Sequence, residues 1–315
     1  MAQIMTVLGS ISSDDLGFTL PHEHIFIDLT AFPGGVTLGG LDAIIDPVRH
    51  TELMIEELKA FQAVGGKCVV DVTCRNMGGD VQALKRVAEA TGMNIIAGCG
   101  WYRDSYMDHD IYYRATDELA EELIHEIEHG IGGTDIRPGI LGEIGVDYNH
   151  YHLSAKEERC LRAVAKAQRR TGLAVTTHLP KARIAFEVLD VLSEYDVPMD
   201  RVILGHSDTY KDAAYHAALM KKGAYVQYDN IGSDYDMPRG ETELVSLVAD
   251  LVSQGFADRI LLSHDICCRS HLKWFDGRGF DYLATKFLPM LKQAGVSDEP
   301  IYTMTVENPK RVLAV

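Results

Sequence analysis

His22 and His24 stand two residues apart in the apolar run "TLPHEHIFID". In extended backbone, residues i and i+2 share a face, so the two imidazoles project side by side and Glu23 points the other way. Four more residues able to bind a metal close short apolar runs further along. They are Glu143 in "GILGEIG", His178 in "LAVTTHL", His206 in "RVILGH" and Asp265 in "RILLSHD". A lone histidine in such a place is usually a hydrogen-bonded loop residue, and a lone aspartate usually caps a helix. Glu143 resists that reading, because a carboxylate among Leu141, Ile144 and glycines is partly buried and needs a partner or a metal. Four imidazoles and two carboxylates suit two divalent transition ions, Zn²⁺ first, with Mn²⁺, Fe²⁺ or Co²⁺ as alternatives. One carboxylate can bridge such a pair, and ions about 3.5–4 Å apart can share and activate a hydroxide.

Eight short runs rich in Val, Ile, Leu or Thr read as strands, over 18–26, 67–73, 94–100, 139–145, 173–179, 201–206, 224–230 and 259–265. Helical patterns lie between them. The clearest covers 154–172, with Ser154 and Glu157 at capping-box spacing and Gly172 at the stop. Similar runs occupy 48–64, 80–91, 112–129, 181–195, 210–222, 241–254 and 280–294. Eight strands each followed by a helix predict an α/β fold, a (β/α)8 TIM barrel, with a short N-terminal hairpin before it and a last helix in "ENPKRVLAV". A doubly wound sheet is the alternative, but no G-x-G-x-x-G or Walker A motif supports a nucleotide-binding version. In a barrel the strand ends carrying the six residues converge on one face.

A chain of 315 residues, 46% hydrophobic, can form one large domain, and no low-complexity linker divides it, so a single domain over 1–315 is expected. A formal charge of −16 argues against non-specific nucleic-acid binding, although local positive groups could still hold an anionic small molecule. The six cysteines include no C-x-x-C pair, and Cys267 and Cys268 are adjacent; reduced thiols in a cytoplasmic protein are expected. The N-terminus lacks the pattern of a signal peptide, and no run approaches a membrane span.

The ordered segments then carry a specific resemblance. "TVLGSISSDDLGFTLPHEHIFID", "TTHLP", "ILGHSD", "YVQYDNIG", "LLSHDICC" and "ENPKR" resemble the phosphotriesterase family of the amidohydrolase superfamily over nearly the whole chain. Many members place a carboxylated lysine on the fourth strand as a bridging ligand, whereas here Glu143 stands in "GEIG". That feature and "CRSHLKWFDGRGFDYL" resemble the phosphotriesterase homology proteins and the phosphotriesterase-related proteins. The resemblance implies a binuclear hydrolase in which His22, His24 and Asp265 hold the more buried ion and His178 and His206 the more exposed one. Glu143 and a hydroxide bridge the two ions, and Asp265 is the general base. A carboxylic ester, lactone or amide is the expected substrate class. Phosphate-ester hydrolysis and a non-catalytic metal-binding barrel are the alternatives, and a homodimer is implied.

Around the ligand set, Trp101 and Tyr102 follow the third strand and are candidates to wall a substrate pocket. Arg239 and Arg269, in the loops after strands seven and eight, are candidates to grip an anionic substrate group. Glu23 is expected to be structural, Asp208 to cap the helix starting near 210, and His264 to point away from Asp265. Of Tyr225 and Tyr228, only one can face the barrel interior.

Overall fold

The computed structural model describes residues 2–30, 40–147, 151–180, 182–233 and 241–315. The chain opens with an antiparallel hairpin, β1 (Gln3–Thr6) and β2 (Gly9–Ser12). β3 (Phe18–Glu23) starts the barrel, followed by a two-residue antiparallel pair, β4 (Ile27–Asp28) and β5 (Ile44–Ile45), too short to leave a signal in the sequence. The alternation then runs α1 (Thr51–Ala63), β6 (Gly66–Asp71), α2 (Val81–Thr91), β7 (Asn94–Cys99), α3 (Thr116–His129), β8 (Ile140–Gly145) and α4 (Ala155–Thr171). It continues through β9 (Val175–His178), α5 (Ala185–Ser193), β10 (Val202–Leu204), α6 (Ala213–Lys221), β11 (Tyr225–Tyr228), α7 (Glu241–Ser253) and β12 (Ile260–Leu262). A π-helical turn over Leu283–Phe287 leads into α8 (Leu288–Gln293), and α9 (Asp298–Tyr302) and α10 (Asn308–Leu313) end the chain.

The eight parallel strands hydrogen-bond in the order β3-β6-β7-β8-β9-β10-β11-β12, which makes a TIM barrel. Glu23 completes the circle between β12 and β3. Its carboxylate accepts from Ser263 Oγ at 2.8 Å and from the N–H groups of His264 at 2.9 Å and Ile266 at 2.8 Å. The His24 N–H donates to the Ile266 carbonyl at 3.1 Å. A side chain that turns away from the two histidines therefore stitches the last strand to the first.

Local signals fix the helices. In α4 the Ser154 hydroxyl accepts from the Glu157 N–H, the Glu157 carboxylate accepts from the Ser154 N–H, and Gly172 adopts the left-handed conformation at the stop. The helix expected from about 210 begins later, and its cap is Asp212, whose carboxylate accepts from the Tyr215 N–H. Asp208 does not cap it, because a short turn over Ser207–Thr209 separates β10 from that helix. No helix among the described residues is long and apolar enough to cross a membrane.

The core has two parts. A large layer lies between the strands and the surrounding helices, and it includes Tyr228. A smaller cluster inside the barrel joins Cys68, Val70, Ile96, Ile140, Ile203, Tyr225 and Leu261 to Ile4 of the hairpin and Val312 and Leu313 of the tail. Tyr225 and Tyr228 thus face opposite sides, with Tyr225 in the interior.

Candidate metal centre

The inner cluster fills one end of the barrel, and the same strands deliver polar groups to the other. Along β11, Tyr225 belongs to the apolar cluster, and the residues two and four further on, Gln227 and Asp229, bond to histidines. That is simple alternation.

Two strands need a break in alternation. Ile140 on β8 faces the inner cluster, so Gly142 would follow it inward and Glu143 would face out. A register shift against β9 between Leu141 and Ile144 turns Glu143 inward instead. The Gly142–Glu143 peptide is cis, and Gly142 has φ +127°, where a Cβ would lie 2.2 Å from the Thr176 carbonyl oxygen, so only glycine fits. A second shift, between Leu20 and Glu23 on β3, precedes the aligned His22 and His24. His206 and Asp265 both have φ +54°, a region that residues other than glycine seldom occupy, and both stand just past a strand end.

The six residues converge. The His24 ring nitrogen Nε2 lies 3.4 Å from Glu143 Oε1 and 3.3 Å from Asp265 Oδ1. His22 Nε2 lies 3.5 Å from Glu143 Oε2 and 3.8 Å from Asp265 Oδ1. His178 Nδ1 is 3.1 Å and His206 Nε2 3.7 Å from Glu143 Oε2, and those two ring nitrogens face each other at 2.6 Å. Two overlapping groups, His22–His24–Glu143 and Glu143–His178–His206, each hold their ligand atoms within 4.8 Å of one another. Glu143 belongs to both. All are buried except Asp265, whose side chain is 16% exposed.

Each histidine turns one ring nitrogen to this centre and has the other engaged outside it. His24 Nδ1 meets Thr73 Oγ1 at 2.9 Å, and the Thr73 N–H is held by Asp71, which also accepts from the Ile25 N–H at 2.7 Å. His22 Nδ1 lies 3.1 Å from Asp229 and 3.0 Å from Gln227, and His206 Nδ1 lies 2.8 Å from Asp229. His178 Nε2 meets the Tyr102 hydroxyl at 3.3 Å. Such outer partners fix ring orientation and tautomer at metal sites. His22 Nε2 is buried and has no hydrogen-bond partner among the described residues. A buried ring nitrogen 3.5 Å and 3.8 Å from two carboxylates, with no hydrogen bond, is costly unless something positive sits between them.

The charges agree. Burial opposes ionisation of Glu143, but the neighbouring histidines, His178 and His22 foremost, outweigh it and hold the carboxyl well below the ordinary range. Asp265 is likewise held down against burial, chiefly by its bond with His24. Burial, reinforced by His206, pushes His178 down to about 4. Burial also works against a charged His206, yet Asp229 beside it carries the ring up to about 10. Burial opposes charge on His22 and His24 as well, yet the carboxylates beside them raise both, His24 well above its ordinary range, so the ionised carboxylates are matched by imidazole protons that a bound metal would displace. Asp208 lies behind the centre, accepting from the Asn230 N–H and side-chain amide at 2.7 Å each, and burial together with the charge of Asp229 pushes it up to about 7.

The remaining sequence candidates separate. Tyr102 reaches the centre, whereas Trp101 is buried with the Arg75 guanidinium 5.2 Å from its ring centroid. Arg269 stacks 5.6 Å from the Phe275 ring centroid. Arg239 lies outside the described residues. His264 points away from Asp265, toward Glu23 at 3.1 Å and the Leu283 N–H at 2.8 Å. Asp229, Gln227 and Thr73 were not singled out from the sequence. Arg103 was not either; it is buried and stacks 5.3 Å from the Tyr102 ring centroid.

The chain is similar to known proteins over nearly its whole length. The model of the phosphotriesterase family matches residues 2–313. The phosphotriesterase homology protein of Escherichia coli is 34% identical over 96% of this chain and 99% of its own length. The N-acetyltaurine hydrolase of Xenopus tropicalis is 30% identical over 99% of this chain and 97% of its own. Among solved structures, a lactonase from Listeria monocytogenes superposes with a TM-score of 0.89 at 27% identity, covering 99% of this chain and 98% of that one. The chain is a hydrolytic enzyme, and it belongs to the phosphotriesterase family.

Proposed function

We propose that the protein is a binuclear metal-dependent hydrolase of carboxylic esters, lactones or amides. The observation that carries this reading is the sharing of Glu143 by two ligand groups. Its Oε1 lies 3.4 Å from His24 and its Oε2 lies 3.5 Å from His22, 3.1 Å from His178 and 3.7 Å from His206, so one carboxylate is within reach of the ligands of both ions. His22, His24 and Asp265 would hold one ion, His178 and His206 the other, and Glu143 both. Imidazole and carboxylate donors favour Zn²⁺. Bound there, two ions would supply Lewis-acid polarisation of the scissile carbonyl and a water ionised at neutral pH.

The chain's own groups do the rest. Asp265, the one member partly open to solvent, takes the proton from the attacking water on its carboxylate and releases it outward. Tyr102 walls the His178 side, and Asp229 keeps the rings of His22 and His206 in register. A cavity of about 700 Å³ is lined in part by Lys273, Asp276, Arg278 and Lys286. The Arg278 guanidinium donates to the His264 carbonyl at 2.6 Å and lies 3.3 Å from that of Asp265. Relatives named N-acetyltaurine hydrolase and lactonase support carboxyl chemistry.

The test is a hydrolysis screen of the zinc-loaded protein over lactones, carboxylic esters, N-acyl amino acids and phosphate esters. Turnover of a carboxyl substrate with about two ions at the ligands of this centre and no bicarbonate requirement is expected. Turnover of phosphate esters alone, or activity that depends on bicarbonate, would refute the assignment of substrate or bridge respectively.

A further inference from the structure

The adjacent pair Cys267–Cys268 plays no part in the reaction described above. Its two sulfurs lie 4.0 Å apart, although neighbouring side chains in extended backbone usually diverge. The cause is the turn that follows. Cys268 is extended, Arg269–His271 form one tight turn closed by a bond from the His271 N–H to the Cys268 carbonyl, and His271 folds back. The Cys267 N–H donates to His271 Nδ1 at 3.3 Å. Asp42 pins the turn from outside, accepting from the Ser270 N–H at 2.8 Å and hydroxyl at 2.7 Å. The two sulfurs and a ring nitrogen therefore lie within 4.8 Å of one another, in a half-buried position that solvent can reach. The other four cysteines are buried.

We propose that Cys267, Cys268 and His271 form a further metal site, distinct from the hydrolase centre, for a thiophilic ion of the Zn²⁺ type. The sulfur separation has the right size. With Zn–S bonds of about 2.3 Å, two sulfurs of a tetrahedral or trigonal site stand roughly 3.8–4.0 Å apart. The charge also balances. Binding releases one proton from each thiol to solvent, and two thiolates neutralise the ion. Burial and Arg278 push His271 down to about 4, so its ring is neutral near pH 7, as a ligand must be. An ion here would clamp the first turn after β12, the segment that leads to Arg278 and its bonds behind Asp265.

The test compares wild type with Cys268→Ser and His271→Ala, all kept reduced with a phosphine. Zinc content after loading and gel filtration is expected to be one equivalent higher in wild type than in Cys268→Ser. Titration with Co²⁺ is expected to give a sulfur-to-cobalt charge-transfer band in wild type that the serine variant lacks, since the hydrolase centre offers only nitrogen and oxygen. His271→Ala is expected to keep a weaker band and to bind Co²⁺ at least about 10- to 100-fold less tightly. Equal zinc content in wild type and the serine variant, with no sulfur band in wild type, would overturn the proposal, and unchanged affinity in His271→Ala would remove the third ligand. The reading is a difference between variants, so it stands or falls separately from the number of ions in the hydrolase centre.

Discussion

At one end of the barrel interior, Val70, Ile96, Ile140, Ile203, Tyr225 and Leu261 pack into an apolar plug, covered by Ile4 of the hairpin and Leu313 of the tail. A few residues along the same strands, the interior is lined instead by His178, His206, Asp229 and Asp265. The plug has ordinary backbone and residues that gain by leaving water. The polar end has two residues other than glycine at positive φ and a glycine that no other residue could replace. Its carboxylates and imidazoles lose solvation on burial and repel like neighbours. One end of each strand thus supplies folding energy, and the other spends part of it to hold groups where chemistry needs them.

The contrast can be broken in three places. Asp265→Asn should lower turnover by about 10²- to 10⁴-fold, the scale of losing a general base, while the thermal midpoint moves little. Steady-state rates on protein of measured metal content check this, and wild-type turnover in a fully loaded variant would remove Asp265 from the mechanism. Ile203→Ala, in the plug, should do the reverse. Denaturant unfolding should show a loss of about 2–5 kcal/mol from the buried cavity, with turnover per folded molecule unchanged. Asp229→Asn sharpens the boundary between the two ends, because the residue touches no substrate. Competition with a chelator should show metal affinity reduced by about 10- to 100-fold, the usual cost of losing an outer partner. A variant with normal affinity would make Asp229 a packing residue.

What the sequence discloses follows the same division. His22, His24, Glu143, His178, His206 and Asp265 stand out because a titratable residue at the end of an apolar run is conspicuous, and a barrel gathers such ends. Asp229 occupies an equivalent place in "YVQYDNIG", just past the end of β11 and two residues beyond Gln227, and the same rule applied to that strand would have found it. The inward turn of Glu143 was legible only as an anomaly of burial, since the register shift that causes it belongs to the pairing of β8 with β9 and not to either sequence. Loops are less legible still. Arg269 follows a strand end, but the turn after Cys268 carries its guanidinium over Phe275, and nothing in residue type or spacing encodes that direction. Asp208 illustrates a competing local rule. An aspartate after a strand resembles a cap, yet the extra turn before α6 leaves that task to Asp212 and frees Asp208 to be buried against Asn230.

The carboxylate of Asp229 serves His22 and His206 at once, and these two rings are assigned to different ions. That carboxylate is already fixed by the His206 N–H and the Gln227 amide, so one group orients a ligand of each ion. Displacing it would loosen both ions at once, and by reciprocity an ion bound at one ring steadies the group that holds the other.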